Sequence, residues 1–178
     1  MTHPPAASAS LPPPRDAAGP YRICVVCLGN ICRSPMGERV LAAEVTAAGL
    51  AGRVMVDSAG TGDWHVGYAM DRRARAELAR RGHDAGRHEA RQIQPHWLDD
   101  YDLLLAVDRP SLAGLAAMAS GKPGLRGRIR LLRDFDPAAP DGAEVPDPYY
   151  GEQESFAEVF DLVDAAAKGL AGQLAGLL

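Results

Sequence analysis

The chain of 178 residues lacks the features that would assign it to a membrane, a secreted or a nucleic-acid-binding class. It contains no apolar run of about 18 residues, the length that a membrane span needs, so no membrane partner is expected. Residues 1–20 show no basic-then-apolar signal pattern, and the chain has only 3 cysteines, which together predict a reducing, cytoplasmic location. A net charge of −4 and a pI near 5.7 argue against nucleic acid as the main partner.

The first part of the chain differs in composition from the rest. Residues 1–20 are rich in proline and alanine and contain almost no large apolar side chains. Such a composition predicts a disordered tail, because it offers too little apolar surface to offset the entropy of ordering the chain. Residues 21–178 are long enough to form one domain with a sizeable core, and we expect this domain to be a monomer.

Apolar runs and helical stripes alternate along residues 21–178 and predict an α/β fold. The predicted buried strands occupy residues 21–26, 53–56, 103–107 and 128–132. The predicted helices run from Pro35 to about Gly49 and over residues 71–82, 109–119 and 153–177. Alternating strands and helices favour a three-layer α/β/α doubly wound fold with a parallel sheet, in which ligands bind at the carboxyl ends of the strands.

The loop after the first predicted strand has the features of an anion-binding site. It reads Cys-Leu-Gly-Asn-Ile-Cys-Arg-Ser-Pro at residues 27–35. Gly29 and Asn30 tolerate unusual backbone angles, so the loop can turn its N–H groups inward above a helix N-terminus and bind a tetrahedral oxyanion. Arg33 offers a planar fork to two oxygens of that anion. Because such a field lowers the pKa of the Cys27 thiol, the loop predicts a thiolate that attacks phosphorus.

This stretch resembles the low-molecular-weight protein tyrosine phosphatase family, and the abundance of Ala, Arg and Gly favours a bacterial member. Cys27 and Arg33 form the Cys-x5-Arg signature of cysteine-dependent phosphatases, and the longer string around them is more specific. The resemblance implies a metal-independent enzyme without cofactors, which acts on phosphotyrosine-containing proteins. A cognate tyrosine kinase is a further candidate partner. The family has four parallel strands in the order 2-1-3-4, which agrees with the four predicted strands.

The resemblance implies chemical roles for three residues. Cys27 is the expected nucleophile, which forms a cysteinyl-phosphate intermediate, and Arg33 is the expected phosphate clamp. The leaving tyrosine oxygen needs a proton, and the best candidate for a general acid and base is Asp147 in the string Pro-Asp-Pro-Tyr-Tyr. By residue type alone an Asp between prolines is more often a turn residue. The similar acid loop of the family favours the catalytic role.

Further residues complete the predicted substrate site. Ser34 can donate to the Cys27 sulfur or cap the following helix, and both interpretations stay open. Trp64 and two tyrosines are expected to form the walls of a deep cleft for aryl phosphates, although exposed aromatics can also be ordinary surface residues. The predicted substrate-binding set is Leu28, Gly29, Asn30, Ile31, Cys32, Ser34, Trp64, Tyr149 and Tyr150.

Two residues outside the loop are expected to support it. The segment Asp-Ser-Ala-Gly-Thr matches the family, and Ser58 within it is expected to support the phosphate loop from behind. The segment His-Glu-Ala-Arg-Gln at residues 88–92 is similar to a family segment whose histidine steadies the loop asparagine. The resemblance therefore implies this role for His88, whereas a lone histidine is more often structural. Cys32 either packs beneath the loop or, as the resemblance implies, forms a reversible disulfide with Cys27.

Two other functions share parts of this pattern. A thioredoxin-coupled arsenate reductase has a similar loop, but its chemistry passes a disulfide along further cysteines, and none follows Cys32. A catalytically dead phosphotyrosine-binding module would lack one of Cys27, Arg33 and Asp147, and all three are present.

Cys24 and Cys27 form a Cys-x-x-Cys string, but on a strand this spacing points them to opposite faces. No second pair of ligands follows, so no metal is expected.

Overall fold

The computed structural model describes residues 10–178, whose strands form one four-stranded parallel sheet. The strands are β1 (Tyr21–Cys27), β2 (Val54–Gly60), β3 (Leu103–Ala106) and β4 (Ile129–Leu131). The α-helices are α1 (Arg33–Ala47), α2 (Arg72–Arg80), α3 (Arg109–Met118) and α4 (Gln153–Leu177), and 3-10 helices span Pro95–Asp100, Pro123–Arg128 and Leu132–Phe135. The strand order β2-β1-β3-β4 confirms the predicted order 2-1-3-4 and the α/β class.

The central strand β1 is buried on both faces, as its continuous apolar run predicts. Ile23 and Val25 pack into the core layer that contains the buried residues of α1 and α4. Cys24 and Val26 pack into the opposite layer, together with Leu115 of α3. Because helices cover both faces, the carboxyl end of β1 opens between the two layers, and the predicted anion-binding loop begins there.

Strand β2 is longer than the sequence predicts. The prediction ends this strand at Val56, but its pairing with β1 continues to Gly60, which lies opposite Cys27. Hydrogen bonds from the parallel partner therefore hold Asp57 and Ser58 in an extended conformation, despite their polar side chains. The consequence is that Ser58 lies beside the loop that follows β1.

The C-terminal helix α4 has the bounds that the sequence predicts. Its apolar residues recur at spacings of three and four, and Phe156, Val163 and Leu170 on this stripe are fully buried. The stripe packs against α1 and covers one face of the sheet. Within residues 10–178 no helix combines the length and the apolar character needed to cross a bilayer.

Residues 10–20 are bound to the domain, which corrects the predicted disorder for this part of the tail. The side chain of Leu11 is buried in the core layer of α1 and α4. The Arg15 backbone N–H donates to Asp102 Oδ1 at 2.6 Å, and the Tyr21 hydroxyl donates to the Pro12 carbonyl at 3.0 Å. These contacts satisfy polar groups that composition alone would leave to water. The first nine residues of the predicted tail lie outside the described residues, and the domain boundary at residue 20 stays a prediction.

Candidate active site

The loop after β1 folds back over the Cys27 sulfur. Asn30 has a φ of 56°, and within residues 10–178 no other non-glycine residue has a positive φ. This left-handed turn brings the Asn30 backbone N–H within 3.2 Å of Cys27 Sγ. The Ser34 hydroxyl lies 3.0 Å from the same sulfur, and either atom can be the donor. The sulfur therefore has two polar neighbours that can stabilise a thiolate.

The two open interpretations of Ser34 can now be separated. Helix α1 begins at Arg33, two residues earlier than predicted, and Cys32 is its N-cap residue without a side-chain capping bond. Ser34 lies inside the first turn, so the interpretation as a helix cap is wrong. Its hydroxyl contacts Cys27 and accepts a hydrogen bond from Asn30 Nδ2 at 2.8 Å.

Asn30 is fully buried, and its side chain ties the loop to β2 and to the segment after α2. Its Nδ2 donates to Ser58 Oγ at 3.0 Å, and its Oδ1 accepts from the Arg91 backbone N–H at 3.0 Å. The Ser58 hydroxyl in turn donates to Glu38 Oε2 at 2.5 Å. His88 Nε2 lies 2.7 Å from the Asn30 carbonyl. The predicted supporting residues Ser58 and His88 thus both contact the asparagine that shapes the loop.

Arg33 is held by residues from two distant segments. Its guanidinium is buried, and Nη1 donates to Asp108 Oδ2 at 2.6 Å and to the Val145 carbonyl at 3.1 Å. Asp108 is the N-cap of α3, where Oδ1 accepts from the Ser111 backbone N–H at 2.9 Å. Burial opposes ionisation of Asp108, but hydrogen bonds from Ser111 and the charge of Arg33 outweigh it, so the pKa of this carboxyl lies below its usual range. These contacts orient the guanidinium fork.

Asp108 is a site residue that the sequence analysis missed. It lies two positions after the end of β3 and three positions before a serine, which is a helix N-cap pattern and therefore looks purely structural. Only the fold brings it to Arg33, which lies 75 positions earlier in the sequence. The position at the carboxyl end of a parallel strand is the one signal that could have indicated it.

The loop that contains Asp147 lies across the cleft from the anion-binding loop. The Val145 backbone N–H donates to the Val107 carbonyl at 2.8 Å, which anchors the loop beyond β3. The Asp147 side chain is 50% exposed, and its Oδ2 lies 3.7 Å from Arg33 Nη2. Its Oδ1 accepts from the Tyr149 backbone N–H at 3.1 Å. The carboxylate thus faces the cleft and can exchange protons with water.

Both loops line one cavity of about 380 Å³. Most predicted site residues contribute to its surface, namely Cys27, Leu28, Gly29, Ile31, Cys32, Arg33, Trp64, Asp147, Tyr149 and Tyr150. Asn30, Ser34, Ser58 and His88 do not line the cavity but stand behind its floor. The Tyr150 ring is 95% exposed and meets the Tyr149 ring edge-to-face at 4.9 Å, so it forms part of the rim rather than a wall.

His65 also lines the cavity, although the sequence analysis attached no role to it. Its ring lies 5.4 Å from the Tyr68 ring and 6.2 Å from the Tyr149 ring, measured between centroids. A Cβ on Gly29 would lie 2.8 Å from His65 Cδ2, so the glycine provides the space that this ring occupies. A single histidine beside a tryptophan carries no spacing signal, and for this reason the sequence did not indicate it.

The three cysteines of the chain are free thiols in this structure. Burial raises the pKa of the Cys24 thiol to about 12, as expected of a packing residue on the far face of β1. Burial also raises the pKa of the Cys32 thiol, and the charge of Asp71 adds to this effect. Cys32 lies in the cavity wall near Cys27, and the reversible disulfide between them stays a prediction.

Comparisons of the sequence with known proteins agree with this geometry. The sequence model of the family described as low molecular weight phosphotyrosine protein phosphatase matches residues 22–176. A low molecular weight protein-tyrosine-phosphatase of Streptomyces coelicolor is 47% identical over 151 residues, which cover 84% of this chain and 91% of that protein. Low molecular weight protein-tyrosine phosphatase A of Mycobacterium tuberculosis is 41% identical over 152 residues, which cover 85% and 90%.

Solved structures give the same result. YfkJ from Bacillus subtilis matches with a TM-score of 0.81 and 34% identity, over 89% of this chain and 97% of that chain. Wzb from Vibrio vulnificus, solved in complex with benzylphosphonate, matches with a TM-score of 0.74 and 30% identity, over 86% and 99%. The family resemblance noted in the sequence is therefore confirmed, and so is its enzyme class, a protein-tyrosine-phosphatase. The chain belongs to the low molecular weight phosphotyrosine protein phosphatase family.

Proposed function

We propose that this enzyme hydrolyses phosphotyrosine in proteins through a cysteinyl-phosphate intermediate on Cys27. In this mechanism Arg33 clamps the phosphate, and Asp147 acts first as the general acid and then as the general base. One observation carries the proposal: these three side chains line the same cavity. A nucleophile, an anion clamp and a proton donor around one space are the groups that phosphoryl transfer from an aryl oxygen requires.

The first step transfers the phosphoryl group to sulfur. The Cys27 thiolate attacks phosphorus, the bond between phosphorus and the tyrosine oxygen breaks, and Asp147 protonates the leaving oxygen. The Asn30 N–H and the Ser34 hydroxyl, at 3.2 and 3.0 Å from the sulfur, support the charged form of the thiol. Asp108 aligns the Arg33 guanidinium before substrate arrives, so little reorganisation is needed as charge develops.

The second step returns the enzyme to its starting state. A water molecule attacks phosphorus, the sulfur–phosphorus bond breaks, and the Asp147 carboxylate takes the proton of the water. Inorganic phosphate leaves, and Cys27 is again a thiolate. The exposure of half of the Asp147 side chain supports this step, because water can reach the carboxylate from the cleft.

The shape of the cavity supports selection of aryl phosphates. Leu28, Trp64 and Tyr149 flank the space above the Cys27 sulfur. A phenyl ring can lie between such walls while its phosphate reaches the floor, whereas a phosphoserine side chain is too short to reach it.

An apolar collar around the cavity mouth favours a polypeptide substrate over a small aryl phosphate. The collar consists of four large, largely apolar side chains that line the cavity, Leu28, Trp64, Tyr149 and Tyr150, whose exposed fractions run from 38% to 95%. Contiguous exposed apolar surface of this kind usually marks an interaction site. We infer that it contacts residues that flank the phosphotyrosine.

The mechanism is tested by hydrolysis of a phosphotyrosine peptide in excess EDTA. We expect native activity to survive chelation and Cys27→Ser to lose about 10⁴-fold or more, because the nucleophile is gone. Cys24→Ala is the matched control, since it removes another buried thiol of the same strand and should keep the activity. Acid quenching during turnover should trap phosphate on Cys27, detected as a mass increase of its tryptic peptide.

Two results would contradict the proposal. One is turnover without any phosphate on Cys27 in the quenched native enzyme. The other is an equal rate on the matching phosphoserine peptide, which would show that the depth of the cavity does not select aryl phosphates.

A further inference from the structure

Arg73, in the first turn of α2, connects the loop that contains Asp147 with the loop that contains Cys27. The reaction requires a fixed distance between these two loops. Its Nη1 donates to the Gly151 carbonyl at 3.0 Å, and its Nη2 donates to the Tyr149 carbonyl at 3.0 Å. Nε and Nη2 also donate to the two carboxylate oxygens of Asp71, at 3.1 and 2.9 Å. One guanidinium thus binds the acid loop (residues 145–151) and a carboxylate outside it.

Asp71 carries this connection to the phosphate loop (residues 27–34). Its backbone N–H donates to the Ile31 carbonyl at 2.9 Å. Its carboxylate also accepts from the Arg73 backbone N–H at 2.8 Å, as the N-cap of α2. The path from Ile31 through Asp71 and Arg73 to Tyr149 is therefore continuous, and each link is a hydrogen bond.

Aromatic rings hold the guanidinium in place. Its carbon lies 4.6 Å from the centroid of the Phe156 ring and 5.8 Å from that of the Tyr149 ring. Phe156 belongs to the first turns of α4 and is fully buried, so it is a fixed surface for the guanidinium. The Gln153 side chain donates to the Arg73 carbonyl at 3.3 Å, which ties the start of α4 to the same point.

The acid loop has its other tether at the opposite end. Val145 is bound by the Val107 carbonyl and by Arg33. Asp147 lies between the two tethers, and its own carboxylate bond comes from the backbone N–H of Tyr149, the residue whose carbonyl Arg73 holds. A displacement of Tyr149 would therefore move the carboxylate relative to the Cys27 sulfur.

We infer that Arg73 is a positioning residue of the reaction. Together with Asp71 it forms a hydrogen-bonded link that fixes the position of Asp147 relative to the phosphate loop. The inference rests on the proposed role of Asp147 in proton transfer. An arginine suits this task because its planar fork can serve two carbonyls and a carboxylate at once, whereas a lysine ammonium is a single point donor.

The test separates proton donation from phosphate binding. The variants are Arg73→Met and Arg73→Lys, with the exposed neighbour Arg72→Met as the matched control. For each, kcat/KM is measured on phenyl phosphate, whose leaving group needs a proton, and on 2,4-dinitrophenyl phosphate, whose leaving group does not. The inhibition constant of inorganic phosphate reports the state of the phosphate loop.

For Arg73→Met we expect kcat/KM on phenyl phosphate to fall by about 10- to 100-fold, because a misplacement near 1 Å has an effect of this size. The value on 2,4-dinitrophenyl phosphate should fall by less than about threefold, since a good leaving group makes little use of the acid. Phosphate inhibition should stay unchanged. Arg73→Lys should fold and lose an intermediate factor, and Arg72→Met should match the native enzyme.

A second measurement places the effect at Asp147. In an Asp147→Asn background, Arg73→Met should cause no further loss on phenyl phosphate, because the acid that it positions is already absent. Equal losses on both substrates, a weakened phosphate inhibition, or full additivity with Asp147→Asn would each overturn the inference. If the native enzyme hydrolysed neither aryl phosphate nor a phosphotyrosine peptide, the proposed function itself would fail, so the two failures are distinguishable.

Discussion

The two loops that meet at the cavity are held in different ways. In the phosphate loop, Cys27, Asn30, Arg33 and Ser34 are all buried, and side chains join them to one another and to their neighbours. In the acid loop, the Asp147 side chain is half exposed. Arginines from elsewhere in the fold hold that loop by its backbone carbonyls.

The difference follows from what each loop must do. A cradle for a charged phosphate works best when its donors are fixed in advance, since reorganisation during the reaction would weaken the stabilisation of charge. A proton donor must leave room for the substrate to enter and for water to reach the intermediate. Its loop can therefore be open to solvent, provided that its ends are anchored. Removing a side chain that holds the phosphate loop together should alter stability, whereas removing the Asp147 carboxyl should alter proton transfer without altering phosphate binding.

Apart from loss of the Cys27 nucleophile itself, the largest effect should come from the acid loop. Asp147→Asn keeps the size of the side chain and an oxygen that can accept from the Tyr149 N–H, but it removes the transferable proton. We expect kcat/KM on a phosphotyrosine peptide to fall by about 10²- to 10³-fold, with an unchanged inhibition constant for phosphate. Asp63→Asn, which removes an exposed carboxylate next to Trp64 in the sequence, is the control and should have little effect. Phosphate inhibition weakened in step with the rate would erase the distinction between the loops.

A smaller effect should come from the asparagine that shapes the phosphate loop. Asn30→Ala removes three side-chain hydrogen bonds and leaves an alanine, which tolerates the left-handed region less well than asparagine, at a φ of 56°. We expect the free energy of unfolding to fall by about 2–3 kcal/mol, measured from urea unfolding curves. Asn30→Gly loses the same bonds without the backbone strain, and should recover about 1 kcal/mol of this. Native-like stability in both variants would show that the network does not hold the loop.

The smallest effect should appear in the dependence of stability on pH. The pKa of Asp108 is lower in the folded state than in the unfolded chain, so its stabilisation is present at neutral pH and is lost as pH falls through the folded-state pKa. Asp108→Asn should reduce the free energy of unfolding by about 1 kcal/mol at pH 7. It should also flatten the decline below pH of about 4, where ordinary aspartates titrate.

The control for this experiment is Asp100→Asn, which changes an exposed carboxyl that is not among the partners of Arg33 described above. Its stability curve should follow that of the native protein across the acid range. A steeper acid decline in Asp108→Asn than in the native protein would have the wrong sign and would contradict the assignment.

Much of the fold could be predicted because its signals are local. The apolar run of β1 and the stripe of α4 lie within single segments, and both elements have nearly the predicted bounds. The ends of β2 and β4 were predicted less well, because pairing with a neighbouring strand, rather than residue type, sets where such strands stop. Leu11 shows the same limit, since nothing in a proline-rich segment indicates that one leucine will be buried.

Local preferences are enough to specify the phosphate loop, because Cys27 to Ser34 are consecutive and their glycine, asparagine and helix-start preferences act over a few residues. The contacts that surround this loop form only when the whole chain folds. Asp108 meets Arg33 across 75 positions, and Arg73 meets Tyr149 across 76. Contacts of this range depend on how a parallel sheet brings the ends of separate strands together. A local pattern cannot specify them, since the same residues elsewhere would be ordinary caps and surface arginines.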